Sequence, residues 1–165
     1  MFFIRTPMCT AFSAWQHLNW ERRAPALMQR EYNKAMIHLE FVCKLYRDQV
    51  DAGRYFLHEH PVAASSWQER CVAELLEAPG VFKVNGDQCQ YGQKAWNGAP
   101  VKKPTGWMSN SSEVLRALSK RCRGQHGRCS SAAGRMHEAC AGRVAKAAAI
   151  YPFKLCRAIL AGGGS

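Results

Sequence analysis

At 165 residues, of which 47% are hydrophobic, the chain is long enough to bury a core and too apolar to be intrinsically disordered. Its formal net charge of +11 predicts an anionic partner. No apolar run approaches the roughly 18 residues of a membrane-spanning helix, and residues 1–4 are too short for a secretory signal. We therefore expect an intracellular protein without membrane contact.

Strands and helices alternate along the first half of the chain. Residues 1–4 are predicted to form a short strand, and residues 13–19 begin a helical segment. The clearest helix has one apolar stripe with helical spacing, formed by Tyr32, Met36, Leu39, Cys43, Tyr46 and Val50. It ends before Gly53, a typical C-terminal cap, and residues 54–57 form the second strand.

The second half continues the alternation. Ser65 or Ser66 is predicted to cap a short helix that ends before residues 79–80. The later elements are predicted to be strands at 81–84 and 105–109, a helix opened by a capping box at 110–113, a loop at 122–134, an alanine-rich helix at 137–149 and a last helix at 152–160. Residues 161–165 are predicted to be a flexible tail.

This alternation predicts an α/β fold around a mostly parallel sheet. We divide the chain into an α/β core over residues 1–110 and a basic, Cys/His-rich helical part of the same domain over residues 111–160. Sites in such sheets form at the carboxyl ends of strands. Cys9, Glu59 and the loop at residues 87–89 each follow a predicted strand, so we expect them to converge at one edge.

Basic residues are concentrated in the last third of the chain. From Lys102 to Arg157 there are twelve Lys and Arg against two Asp and Glu, so ten of the eleven net charges lie there. This asymmetry predicts contact with nucleic acid, although a solvated basic surface that serves solubility is the alternative. The candidate contact residues are Lys102, Lys103, Arg121, Arg123 and Arg128.

The chain contains eight cysteines, which raises the question of a metal site. Without a secretory signal, a disulfide framework is the weaker interpretation. Three thiols and one imidazole in a Gly/Arg-rich loop could complete a tetrahedral structural zinc site, with His126 as a spare ligand. The candidate ligands are Cys122, Cys129, His137 and Cys140. The alternative for these four residues is that the cysteines are reduced thiols at the surface. Three other cysteines, Cys43, Cys71 and Cys156, are predicted to be core residues.

Several motifs resemble those of the DNA cytosine-5 methyltransferases. The stretch Thr6-Pro7-Met8-Cys9-Thr10-Ala11-Phe12-Ser13 looks like the catalytic Pro-Cys loop, and His58-Glu59-His60-Pro61 is similar to the glutamate motif that follows it. Residues 80–92 and 101–105 resemble a later strand, a Tyr-Gly turn and a basic strand. Order and spacing agree over about residues 1–110. The chain also resembles methyltransferase-like segments of phage and retroelement polyproteins.

The resemblance implies a partial Rossmann-like methyltransferase sheet with flanking helices, in which the Cys9 thiolate adds to cytosine C6 and Glu59 holds N3. The family's glycine-rich loop for S-adenosylmethionine has no counterpart here. We therefore expect a nucleic-acid-binding chain, with DNA favoured over RNA, that is inactive unless a partner chain supplies the cofactor half. The alternative is a non-enzymatic nucleic-acid-binding or ribonucleoprotein subunit. The alternative for Cys9 is a buried thiol at a strand end, and for Glu59 a helix-capping or ion-paired carboxylate.

Overall fold

The structure is a computed structural model that describes residues 2–5, 7, 10–12 and 24–163. Over these residues the chain is an α/β protein with a four-stranded mixed sheet and five α-helices. The strands are β1 (Phe2–Arg5), β2 (Tyr55–Pro61), β3 (Phe82–Asp87) and β4 (Pro104–Ser109). The helices are α1 (Pro25–Asp51), α2 (Arg70–Leu76), α3 (Ser112–Leu118), α4 (Gly142–Ala147) and α5 (Phe153–Gly163). Short 3-10 helices lie at Thr10–Phe12, Ser65–Gln68 and Gln88–Tyr91.

The strand order in the sheet is β1-β2-β4-β3. β1 and β2 pair in parallel, with Phe2 opposite Tyr55 and Ile4 opposite Leu57. The predicted parallel pairing therefore holds for these two strands, whereas the sheet as a whole is mixed. None of the five helices in the described part of the chain has the length and apolar character needed to cross a membrane.

The chain forms two compact units. The first unit comprises Met1–Lys83 and Met108–Ser111, and the second comprises Val84–Trp107 and Ser112–Ser165. The sequence-based division at residue 110 assigned residues 84–107 to the α/β core. In the structure those residues belong with the basic C-terminal part.

The core of the first unit is built on the apolar stripe of α1. Leu39, Cys43 and Tyr46 are buried there, as the spacing predicted. The helix ends where the sequence placed its stop: Gly53 has a φ of 64°, its N–H donates to the Val50 carbonyl, and the next N–H donates to the Gln49 carbonyl. This pair of bonds is a Schellman cap, which needs a residue that tolerates the left-handed conformation.

Strand β2 is longer than predicted because its two histidines are core residues. His58 and His60 are fully buried, so the strand continues through Pro61, and Glu59 lies within it rather than after it. The His60 imidazole contacts the Ser66 hydroxyl and both histidine rings pack edge-on against Trp67. The Ser66 hydroxyl is therefore engaged by His60, and the predicted serine cap is wrong. The N-cap residue is Ala64 for the 3-10 helix Ser65–Gln68 and Glu69 for α2, and neither makes a side-chain cap hydrogen bond.

The second unit has its own core, in which Trp107, Leu118 and Leu155 are fully buried. Helix α5 runs to Gly163, so the predicted flexible tail is wrong over residues 161–163. A Cβ atom at Gly162 would lie 2.7 Å from the Val114 Cα, and its absence lets α5 pack closely on α3.

The predicted alanine-rich helix over residues 137–149 is shortened to α4. The backbone N–H groups of His137 and Glu138 donate to the carbonyls of Gly127 and Pro100, and Glu138 forms a parallel β-bridge with Val101. These long-range bonds hold the segment in an extended form, which the local helix propensity of the alanines does not overcome.

Candidate metal centre

Four side chains of the second unit bring soft donor atoms to one point. The donor atoms of Cys89, Cys122, Cys129 and His137 all lie within 4.8 Å of one another. Around a tetrahedral zinc ion, ligand atoms are separated by roughly 3.5–3.8 Å, given Zn–S and Zn–N bonds of about 2.3 and 2.0 Å. The separation between Cys122 Sγ and His137 Nε2 in the structure is 3.7 Å. The group has the composition and spacing to hold a metal ion.

The structure brings together three of the four ligands expected from the sequence, Cys122, Cys129 and His137. Cys140 and the spare candidate His126 are not in the group. The fourth donor is Cys89, which lies in the 3-10 helix after β3. It is 33 residues before Cys122, so no local spacing pattern could have linked it to the other ligands.

Cys122 lies in a tight turn that directs hydrogen-bond donors at its sulfur. The Ser130 N–H and hydroxyl lie 3.4 and 3.5 Å from Sγ. Burial raises the pKa of the thiol, but the Ser130 bonds and one from the Gly124 N–H outweigh it and lower the pKa to about 6. A Cβ atom at Gly124 would lie 1.9 Å from the Arg128 carbonyl oxygen, so the turn requires glycine.

A buried carboxylate, that of Asp87, stabilises the same turn through hydrogen bonds. Asp87 is fully buried, and its Oδ2 atom accepts the backbone N–H of Cys122 at 2.7 Å and the Nε–H of Arg121 at 3.1 Å. These charge-assisted bonds fix the position of the Cys122 backbone. Outer-shell partners of this kind orient metal ligands and tune their affinity.

His137 is oriented with its Nε2 atom toward the sulfurs. Its Nδ1 atom lies 2.8 Å from the Gly127 carbonyl oxygen. Because a carbonyl can only accept, Nδ1 carries a proton, so Nε2, 3.7 Å from Cys122 Sγ, is the ring nitrogen available to a metal ion. The same Gly127 carbonyl accepts the backbone N–H of His137, also at 2.8 Å, so ring and backbone are held by one group.

Cys89 and Cys129 form the buried side of the site. They are only 3% and 1% exposed, and the Gln90 amide donates to both sulfurs at 3.3 and 3.9 Å. Burial raises the pKa of Cys89 to about 12, and the nearby Cys129 and Cys122 act in the same direction. A bound cation would reverse this effect, since a coordinated thiol loses its proton. Every cysteine that the structure describes is a free thiol.

No family model, curated protein or solved structure matches this chain. The capacity of the site to bind metal therefore rests on its own donors. All four come from protein side chains, and three of them are thiols. Closed sets of this type are typical of structural metal sites, whereas catalytic zinc sites keep one position open.

The residues predicted to contact nucleic acid lie mostly on the loop that supplies the metal ligands. Arg123 and Arg128 are exposed, and Arg121 is half-exposed although its Nε–H is bound by Asp87. The Lys103 ammonium donates to the Ala148 carbonyl at 2.9 Å, and Lys102 beside it is partly exposed. All five residues belong to the second unit.

Of the two residues predicted to be catalytic, the structure describes Glu59 but not Cys9. Cys9 lies outside the described residues, and Glu59 is 8% exposed near the end of β2. Pro7, two residues before Cys9, is buried, and its carbonyl oxygen lies 3.1 Å from His60 Nε2. Burial lowers the pKa of His60 to about 4, and that of His58 well below its usual range. Both imidazoles are therefore neutral near pH 7.

Proposed function

We propose that the second unit is a zinc-stabilised module that binds nucleic acid through its phosphates. The observation that carries this proposal is the position of the exposed arginines. Arg121 and Arg123 flank the ligand Cys122, and Arg128 directly precedes the ligand Cys129. Folding of the loop around a metal ion would therefore also fix the basic surface.

Zinc fits these donors better than other common cations. Thiolates and imidazole are soft or borderline ligands, which disfavours magnesium and calcium, and a tetrahedral set of three sulfurs and one nitrogen is a usual structural zinc site. The loop from Cys122 to Gly134 is polar and glycine-rich, and no regular helix or strand lies within it. The ion would supply the cross-link that such a loop needs to order itself.

The charge of the unit supports a polyanionic partner. It contains thirteen Lys and Arg against three Asp and Glu, and one of the three acids, Asp87, is buried and bound to Arg121. An ion held by three thiolates and a neutral imidazole would add a single negative charge. The surface potential therefore stays strongly positive, as in proteins that bind the phosphate backbone.

Salt-dependent binding of labelled oligonucleotides, measured by fluorescence anisotropy, tests the proposal. The affinity should fall steeply between about 50 and 200 mM salt, and Arg123→Ala should reduce the slope of log K against log salt by about 1. Arg30→Ala, which removes an exposed arginine of the first unit, is the matched control and should leave the slope unchanged. A flat salt dependence of the parent protein would refute phosphate-driven binding.

A second candidate function is the catalytic half of a cytosine-5 methyltransferase-like enzyme with a partial Rossmann-like sheet. Two observations favour it: β1 and β2 are adjacent and parallel, and the Pro7 carbonyl reaches His60 beside Glu59. Adjacent parallel strands bring their carboxyl ends to one edge, where the Cys9 loop and Glu59 would meet. In this reading a partner chain would hold S-adenosylmethionine.

Covalent trapping tests this second candidate. The Cys9 thiolate would add to C6 of 5-fluorocytosine in DNA, C5 would take the methyl group from the cofactor, and the fluorine would prevent release because no C5 proton can leave. An adduct should form only when a cofactor-binding partner chain and S-adenosylmethionine are present. It should be lost in Cys9→Ala and kept in Cys140→Ser. An adduct that persists without Cys9 would exclude this mechanism.

A further inference from the structure

A small hairpin in the second unit presents a tryptophan to solvent. Lys94 and Pro100 form an antiparallel bridge, and the Ala95 N–H donates to the Ala99 carbonyl at 2.9 Å. Trp96 lies at the tip and is 92% exposed. A side chain that could bury 150–250 Å² in a core is left almost entirely in water. Both faces of the indole ring are therefore accessible to a ligand.

The hairpin tip is held rigid by several hydrogen bonds. The Asn97 Oδ1 atom accepts the Ala99 N–H at 2.9 Å, and the Gly98 N–H donates to the Ala95 carbonyl at 2.9 Å. Gly98 has a φ of 76°, which suits a glycine at this turn. The tip does not need to order itself when it binds a ligand, so little conformational entropy would be lost.

The hairpin is also connected to the metal loop. Arg135 Nη1 donates to the Gly98 carbonyl at 3.0 Å, and Arg135 lies between the ligands Cys129 and His137 in the chain. Lys94, Asn97 and Arg135 are exposed, and the Asn97 side-chain amide donates to the Glu138 carboxylate at 3.4 Å, so two cations and one acid lie on or against the hairpin. An exposed aromatic ring on a hairpin that carries Lys94 and is bonded by Arg135 matches a nucleotide, which offers an aromatic face and an adjacent phosphate.

We propose that Trp96 stacks on an unpaired nucleobase, so that the second unit prefers single-stranded nucleic acid. This proposal rests on the proposed function, because the phosphates are held by the same basic surface. A base in a duplex has both faces covered by its neighbours, whereas a base in a single strand can offer one face to an indole. Lys94 and Arg135 would contact the flanking phosphates.

Three ligands of about 12 nucleotides separate stacking from phosphate binding. They are oligothymidine, an abasic strand with the same number of phosphates, and a duplex. The parent protein should bind oligothymidine on the order of tenfold more tightly than the abasic strand. Trp96→Ala should remove this preference and keep the salt slope, while Trp96→Phe should retain most of it. Phe153→Ala removes an aromatic ring that is 75% exposed elsewhere in the unit, and it should behave like the parent.

The outcomes distinguish the two proposals. If Trp96→Ala binds all three ligands like the parent, or if the duplex is preferred, stacking is refuted while a steep salt slope leaves phosphate binding intact. If no ligand binds the parent in a salt-dependent manner, both proposals fail. An equal loss in Trp96→Ala and Phe153→Ala would indicate a general apolar contribution and overturn the assignment. A parent dimer that Trp96→Ala converts to a monomer would show that a second copy covers the ring.

Discussion

Replacing Cys89 by serine should abolish the zinc-dependent stability of the second unit, whereas Cys140→Ser should leave it intact. The two cysteines provide a close comparison, because sequence spacing favoured Cys140 and the structure places the Cys89 sulfur within 4.8 Å of the other donors. Serine keeps the size of the side chain and removes the soft ligand, so the metal would retain three protein donors.

The size of the effect follows from linkage. At a free zinc concentration 100 times the dissociation constant, binding to the folded state adds about 2.7 kcal/mol to the free energy of unfolding. For a unit of this size, that corresponds to a rise in melting temperature of roughly 10–20 °C. The Cys89→Ser protein should lose most of this rise, and its zinc content should fall well below the one ion per chain expected for the parent.

Differential scanning fluorimetry in zinc buffers, together with elemental analysis of the dialysed proteins, measures both quantities. The reasoning would be refuted if Cys140→Ser lost zinc while Cys89→Ser kept it. A parent protein that contains no zinc and shows no thermal shift would remove the metal centre altogether.

Three further results are expected. Gly124→Ala should weaken zinc binding on the order of tenfold in a competition titration, because the new Cβ would meet the Arg128 carbonyl and open the turn; an unchanged affinity would contradict this. Gly162→Ala should destabilise the second unit by about 1–3 kcal/mol in urea unfolding, since its Cβ would press on Val114; a neutral effect would mean that α5 can shift away. Acid should destabilise the first unit: the pKa of His60 is lowered to about 4 in the folded state, so the unfolded chain takes up the proton first. Its contribution is complete above about pH 6.5 and is lost toward pH 4. The loss by pH 5 is about 2 kcal/mol, and a melting temperature that stays level between pH 7 and pH 5 would refute it.

The elements that could be predicted from the sequence are those with local causes. Helix α1 has an apolar stripe with helical spacing and a glycine in the left-handed conformation after its last turn. The buried face of the helix and its C-terminal end could therefore both be predicted from the sequence. Strand β2 was predicted too short, because histidines are usually surface or site residues. The burial of His58 and His60 depends on contacts with Trp67 and Ser66, which lie outside β2. A period-two pattern within the strand therefore could not predict it.

For the candidate metal centre too, only the ligands that are close together in the sequence could be predicted. Cys122, Cys129 and His137 could be grouped because they lie in one Gly/Arg-rich loop. The choice between Cys89 and Cys140 depended on tertiary contacts. The segment after His137 is held extended by its backbone bonds, and Cys140 lies outside the cluster that Cys89 completes.

The reason that Cys89 reaches the site lies in the strand that precedes it. A Cβ atom at Gly86 would lie 2.1 Å from the Leu118 carbonyl oxygen, so glycine allows the end of β3 to run directly beside the chain that follows α3. The Asp87 N–H then donates to the Lys120 carbonyl at 2.9 Å, and its carboxylate holds the Cys122 backbone. Two residues later the same segment supplies the Cys89 sulfur. One strand end thus provides both a candidate ligand and the support for another. If a metal ion is bound here, its removal should loosen the junction between the strand and the basic loop as well as the loop itself.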